Sequence, residues 1–237
     1  MSKLTNLQLK EEFLAMKEYH LGDYKFLSDF ISNKVGISLN SKKLLNISKG
    51  GNNIYKEMGC WGGLRAKQYP DELAQFLVFI YGNRKNIKSY CEIGIGDGGT
   101  FFVIDSFLRA LNVDMGRSTA IDIKDKCRKS FDIYIDQNPQ VDFLNIDSDS
   151  FVPPINYDLS FIDGGHSLKQ VSKDYIKMKR CSKYIALHDI YLESGGVRYL
   201  WQKIDSEKKE FLNKNINFPV PLGIGIVKGD IDEESLQ

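Results

Sequence analysis

Tyr90-Cys-Glu-Ile-Gly-Ile-Gly-Asp-Gly-Gly99 decides how this chain is read. An apolar run over 87–93 has the character of a buried strand, and 101–111 has the apolar spacing of a helix. Between them Gly94, Gly96 and Gly99 stand in the GxGxxG spacing. Glycine is required where a tight turn takes positive φ or where a side chain would block a close approach. The helix start adds free N–H groups. In this setting the motif favours a nucleotide-type ligand over a merely tight turn, without naming the cofactor.

Outward from this turn the pattern repeats. Further strand-like runs occupy 118–123, 141–146, 158–163, 183–190 and 222–227, with a second clear helix over 168–179. Such alternation predicts βαβ units, right-handed crossovers and helices on both faces of a mostly parallel sheet. The expected fold is α/β, doubly wound and Rossmann-like. Upstream, Pro70 suits the first turn of a helix whose stripe Leu73, Phe76, Leu77 and Ile80 ends at Gly82. Leu4, Leu7, Leu9, Phe13, Leu14 and Met16 predict an amphipathic helix over 4–17, and 24–31 a second, shorter one. Residues 48–63 hold five glycines in sixteen positions and read as a mobile loop, either a lid or a plain linker. Tyr55 and Trp61 favour contact with something. The chain thus divides into a helical cap with its Gly-rich loop, 1–68, and a cofactor-binding domain, 69–237, ending in a frayed acidic tail.

Composition excludes several classes of function. With 237 residues, 32 Lys+Arg and 31 Asp+Glu, the formal charge is +1, which disfavours nucleic acid as the main partner. Mean hydropathy is −0.31 and no apolar run is long enough to span a membrane. The first residues mix acids and bases and carry no secretory signal, so a cytoplasmic protein is expected. Cys60, Cys91, Cys127 and Cys181 form no CxxC pair, against both a disulfide framework and a thiolate zinc site. Of the three histidines, His20 has no catalytic or ligating type patterned around it and reads as a surface or packing residue.

Two acids sharpen the motif. Asp122 closes the second strand, where a carboxylate can accept both ribose hydroxyls of either an NAD or an S-adenosylmethionine cofactor. Glu92 lies two residues before the first glycine. A pyrophosphate would repel it, whereas the ammonium of a methionine moiety tolerates it, which favours S-adenosyl-L-methionine.

On Glu92-Ile-Gly94-Ile-Gly96-Asp-Gly-Gly99, Asp122 and the spacing of the later strands, residues 68–228 resemble the class I S-adenosylmethionine-dependent methyltransferases. The resemblance implies a seven-stranded sheet. It also implies cofactor contacts at Ile123 and at the Asn145–Asp149 turn, with Asp147 accepting from the adenine amine and Ser148 beside it. Helix capping explains Ser148 and Asp149 equally well.

Asp163-Gly-Gly-His166 and His188-Asp189 end the next two strands, whose carboxyl ends should meet at the cofactor crevice. Two converging carboxylates suit a hard cation and repel each other without one. This combination resembles the metal-dependent small-molecule and sugar O-methyltransferases, the group holding macrocin-type O-methyltransferases and cephalosporin-hydroxylase-like proteins. The resemblance implies a divalent cation, Mg2+ or Mn2+, on Asp163 and Asp189, and His166 as general base. Macrocin-type members carry an acid where this chain has His188, a ligand for manganese, iron or zinc rather than magnesium. A strand-end histidine held by a carboxylate is the equal alternative.

Gln68-Tyr-Pro70-Asp-Glu72 borders the cofactor and acceptor pockets in relatives, although capping of the Pro70 helix accounts for Asp71 and Glu72. Gly195-Gly196-Val-Arg198 and Trp201 are expected in a loop that shapes an acceptor site. The expected partner is a small polar acceptor, a sugar or sugar conjugate among them, with the cap as a face for self-association. An NAD-dependent oxidoreductase leaves the Asp-His pairs unexplained. A hydroxylase-like monooxygenase and a non-catalytic assembly partner with a Rossmann fold are the other readings.

Overall fold

The structure, a computed structural model, describes residues 3–36, 63–193, 195–213 and 222–231. The Gly-rich stretch up to residue 62, with Tyr55, Cys60 and Trp61, and the tail from 232 lie outside the described residues.

Seven strands form one sheet: β1 Tyr90–Ile93, β2 Ser118–Ile121, β3 Val141–Leu144, β4 Tyr157–Ile162, β5 Ser182–His188, β6 Lys208–Phe211 and β7 Ile224–Lys228. Their order is β3-β2-β1-β4-β5-β7-β6. The first five pair in parallel, with Glu92 opposite Ala120 on one side and Phe161 on the other. β7 returns antiparallel between β5 and β6. The sheet is therefore mostly parallel, and its order reverses beside β1, where an open α/β sheet offers a crevice at the strands' carboxyl ends.

Among the described residues the α-helices are α1 Gln8–Ala15, α2 Glu18–Leu21, α3 Tyr24–Phe30, α4 Pro70–Gly82, α5 Gly99–Leu111, α6 Arg128–Gln137, α7 Leu168–Lys179 and α8 Gly196–Lys203. They cover both faces, as a doubly wound sheet demands. One core joins α4, α5 and α6 to the sheet through Phe76, Phe101, Phe131 and Phe161. On the opposite face, Val171 and Met178 of α7 and Val197 and Trp201 of α8 pack on Cys91, Ile93 and Leu187. Alternation along β1 sends Tyr90 to the first face and Cys91 and Ile93 to the second. Leu9, Phe13, Leu27 and Phe30 of the N-terminal helices belong to the first core, and Asn6 Nδ2 donates to the Ser130 carbonyl 2.8 Å away. The described part of the cap is continuous with the sheet's own packing. No described helix is long and apolar enough to cross a membrane.

His20 packs as its surroundings in sequence indicate, its ring stacked on Phe26 at 3.8 Å between centroids. The expected loop over 195–201 is instead the start of α8. Val197 and Trp201, one helical turn apart, are both buried, and the indole lies where a Cβ on Gly225 would stand 2.6 Å from it. Trp201 Nε1 donates to Glu210 at 2.6 Å, so this side chain is committed to the core.

Candidate active site

The turn after β1 is built from glycines with positive φ at Gly94, Gly96 and Gly98. What crowds them is protein. A Cβ on Gly94 would lie 2.4 Å from Gly164 Cα, and one on Gly99 would lie 2.3 Å from the Leu64 carbonyl oxygen. Gly94 thus admits the turn after β4, and Gly99 admits a strap of residues 64–69 lying over the glycine turn. Close approach is the reason for glycine, as the motif implies, but at these two positions the approaching group is the chain's own backbone.

Asp122, at the end of β2, accepts from Gly96 N at 2.8 Å and from Lys124 N at 2.8 Å. Its carboxylate fixes the glycine turn from below. Ile123 beside it is an exposed apolar side chain, 66% accessible, suited to a flat apolar ligand. Asp147 Oδ1 caps the short turn after β3 by accepting from Asp149 N at 2.9 Å, and Ser148 Oγ accepts from Gln170 Nε2 at 3.0 Å. Capping is therefore realised at Asp147 as well as beyond it, and Asp147 remains exposed at the same edge.

Glu92 is buried, as β1 requires of a side chain on the Tyr90 face, and Tyr90 OH donates to its Oε2 at 2.5 Å. Oε1 has no hydrogen-bond partner among the described residues. Burial pushes the Glu92 carboxyl well above the ordinary range; the Tyr90 hydrogen bond opposes this, and the charges of Asp163 and Asp122 reinforce it.

At the ends of β4 and β5 the convergence expected of adjacent parallel strands is present. Asp163, His166 and Asp189 each offer a ligand atom, and these atoms all lie within 4.8 Å of one another. His166 Nδ1 is 3.3 Å from Asp189 Oδ2, and its Nε2 is 3.9 Å from Asp163 Oδ1. The imidazole side chain is 41% exposed, whereas the two carboxylate side chains are 12% and 7% exposed. Asp189 holds a left-handed backbone, φ 63°, a conformation aspartate tolerates better than most residues and one that aims its carboxylate.

His188 takes another position. It is buried, with Nδ1 3.0 Å from Asp163 Oδ1 and 3.5 Å from Asp189 Oδ1, and Nε2 has no partner among the described residues. It is not among the three residues whose ligand atoms converge. Burial alone would lower its pKa, but the carboxylates of Asp189 and Asp163, with Glu72 behind them, raise it to about 10. An imidazolium held between acids is the result, close to the alternative the sequence leaves equal.

Two residues of the 68–72 segment lie deeper than capping of the Pro70 helix implies. Gln68 is fully buried; its Nε2 donates to Asp163 Oδ2 at 2.9 Å and its Oε1 accepts from Thr100 Oγ1. Glu72 is also fully buried rather than a solvated cap, with Oε1 accepting from Asn213 N at 3.1 Å and Oε2 without a partner among the described residues. Burial raises its pKa to about 7 against the lowering pull of His188. The signal was present: Glu72 falls on the face of α4 that carries Leu73, Phe76 and Ile80.

Neither a protein-family model nor a curated protein matches the chain. Solved structures do. A candidate O-methyltransferase of Klebsiella pneumoniae is 15% identical, over 66% of this chain and 79% of that one, with a TM-score of 0.48. A candidate rRNA methylase of Clostridium thermocellum is 15% identical over 66% and 95%, also at 0.48. A SAM-dependent O-methyltransferase of Thermotoga maritima is 13% identical over 70% and 67%, again at 0.48. Two of these three are described as O-methyltransferases and one as an rRNA methylase.

Proposed function

We propose that the chain is an S-adenosylmethionine-dependent methyltransferase that methylates a hydroxyl of a small polar acceptor, such as a sugar hydroxyl, with the help of a divalent cation. The observation that carries this reading is the trio Asp163, His166 and Asp189 at the carboxyl edge of the sheet, beside the glycine turn. The donor set fits the cation: two carboxylates provide the oxygens that magnesium or manganese prefers, and His166 beside them is left to act as the base. Asp163 is pinned by Gln68 and His188, so its orientation is set before anything binds. The near-neutral total charge offers no general attraction to RNA.

When bound, the cation lowers the acceptor hydroxyl's pKa and the cofactor presents a methyl on a positive sulfur. Asp163 and Asp189 would hold the cation. His166, half exposed and flanked by both carboxylates, takes the acceptor's proton, and these charges stabilise the imidazolium that forms. S-adenosylmethionine, when bound, would supply the methyl group to the acceptor oxygen and depart as the neutral thioether. Ile123 and Asp122 hold the adenosine end, Glu92 the ammonium end, and the protein's main contribution is in-line positioning.

Calorimetry with S-adenosylhomocysteine, followed by methyl-transfer assays on sugar acceptors with and without chelator, tests this reading. Binding together with chelator-sensitive transfer is expected. Full transfer in chelator sinks the metal role, and binding of NAD with none of S-adenosylhomocysteine sinks the whole assignment.

A further inference from the structure

The strap of residues 64–69 brings two cations to the glycine turn, and they are not equivalent. Arg65 pairs with Asp97, 3.5 Å apart. Lys67 extends along the turn itself: a Cβ on Gly96 would stand 2.5 Å from Lys67 Nζ and 3.2 Å from its Cε. Among the described residues no hydrogen bond or ion pair engages that ammonium. The turn's own acids are engaged elsewhere, Asp97 by Arg65 and Asp122 by Gly96 N and Lys124 N. Gln68, the next residue, is fastened to Thr100 at the start of α5 and to Asp163 at the end of β4, which fixes the strap across the crevice.

The ammonium beside Gly96 and the buried Glu92 Oε1, which has no hydrogen-bond partner among the described residues, offer a cation for a carboxylate and an acceptor for an ammonium. The complement is a zwitterion. We propose that Lys67 binds the α-carboxylate of the cofactor's amino-acid end, while Glu92 receives its ammonium, so that the chain selects ligands carrying an intact amino acid. This rests on the S-adenosylmethionine reading above and adds the residue that discriminates within it. An anionic group is held there by charge and by the free N–H groups at the start of α5, and a ligand lacking it gains nothing from Lys67.

Two ligands that share the nucleoside and the sulfur separate these ideas: S-adenosylhomocysteine, with the amino acid, and 5′-methylthioadenosine, without it. In calorimetry on the full chain, Lys67→Met is expected to weaken S-adenosylhomocysteine at least tenfold and to leave 5′-methylthioadenosine unchanged. Lys67→Arg should retain most of the affinity. The unchanged second ligand also shows that the variant is folded. Wild-type affinity of Lys67→Met for S-adenosylhomocysteine, or an equal loss of both ligands, overturns the Lys67 assignment alone. If the wild-type protein binds neither, the cofactor reading fails and takes this one with it.

Discussion

His188 Nδ1 lies 3.0 Å from Asp163 Oδ1, so the last side chain of β5 holds the carboxylate that follows β4. Both groups sit where the sheet order brings adjacent parallel strands to a common edge, and both are shielded from water. An imidazolium there offsets Asp163, Asp189 and Glu72 at once. His188→Leu keeps the volume and removes the charge, leaving buried acids uncompensated. The expected loss is about 3–5 kcal/mol of unfolding free energy, measured by urea denaturation in chelator. A change within about 0.5 kcal/mol would mean that the imidazole is not the acids' partner.

Glu72 gives a pH dependence of definite sign. Its carboxyl titrates near 4.5 when unfolded and at about 7 in the folded chain. Between those values the folded chain keeps a proton that the unfolded chain releases, so this group makes stability fall as pH rises from 4.5 to 7. Glu72→Gln preserves an acceptor for Asn213 N and removes the buried charge. Melting in chelator at pH 5 and pH 8 should show little change at the first and a gain on the order of 3 kcal/mol at the second. Equal effects at both would refute a raised carboxyl.

Asp189 separates binding from chemistry. Asparagine tolerates the left-handed backbone at φ 63° as aspartate does, so Asp189→Asn alters charge with little strain. Methyl transfer should fall by two orders of magnitude or more, while S-adenosylhomocysteine affinity stays within a few-fold, and added Mn2+ should not restore the rate. An active Asp189→Asn enzyme would remove this residue from the metal site.

How much of this was legible in sequence depends on the range over which each signal acts. The parallel strands announce themselves because buried strands are apolar runs, and the glycine turn because backbone geometry restricts the residue. β6, Lys208–Phe211, does not: it is an edge strand of four residues in which Phe211 is buried, and the charges that spoil its pattern suit an unpaired edge. The strap is illegible for a different reason. Gln68 meets Thr100 and Asp163 across 32 and 95 residues, and nothing local to Gln68 marks either partner. Glu72 lay within reach, because extending the α4 stripe backwards by one turn passes through it. Asp163, His166 and Asp189 were named from a resemblance and are brought together by the fold, whereas the place of His188 depended on which way its ring turned.

The glycines test whether crowding or ligand access governs the turn. Gly99→Ala puts a Cβ 2.3 Å from the Leu64 carbonyl and 2.5 Å from Ala66 N, backbone atoms that must shift together with the strap. The expected cost is about 1–3 kcal/mol in protein without any ligand. Because the same strap carries Lys67, S-adenosylhomocysteine affinity should fall as well. Gly82→Ala is the control: at the last residue of α4 its Cβ meets nothing within 4 Å, and removing a flexible glycine from a helix is worth up to about 1 kcal/mol in its favour. Thermal melting of the two variants side by side should therefore move in opposite directions. A Gly99→Ala protein that melts like wild type and loses only ligand affinity would show that the third glycine of the motif serves the ligand rather than the chain's own backbone.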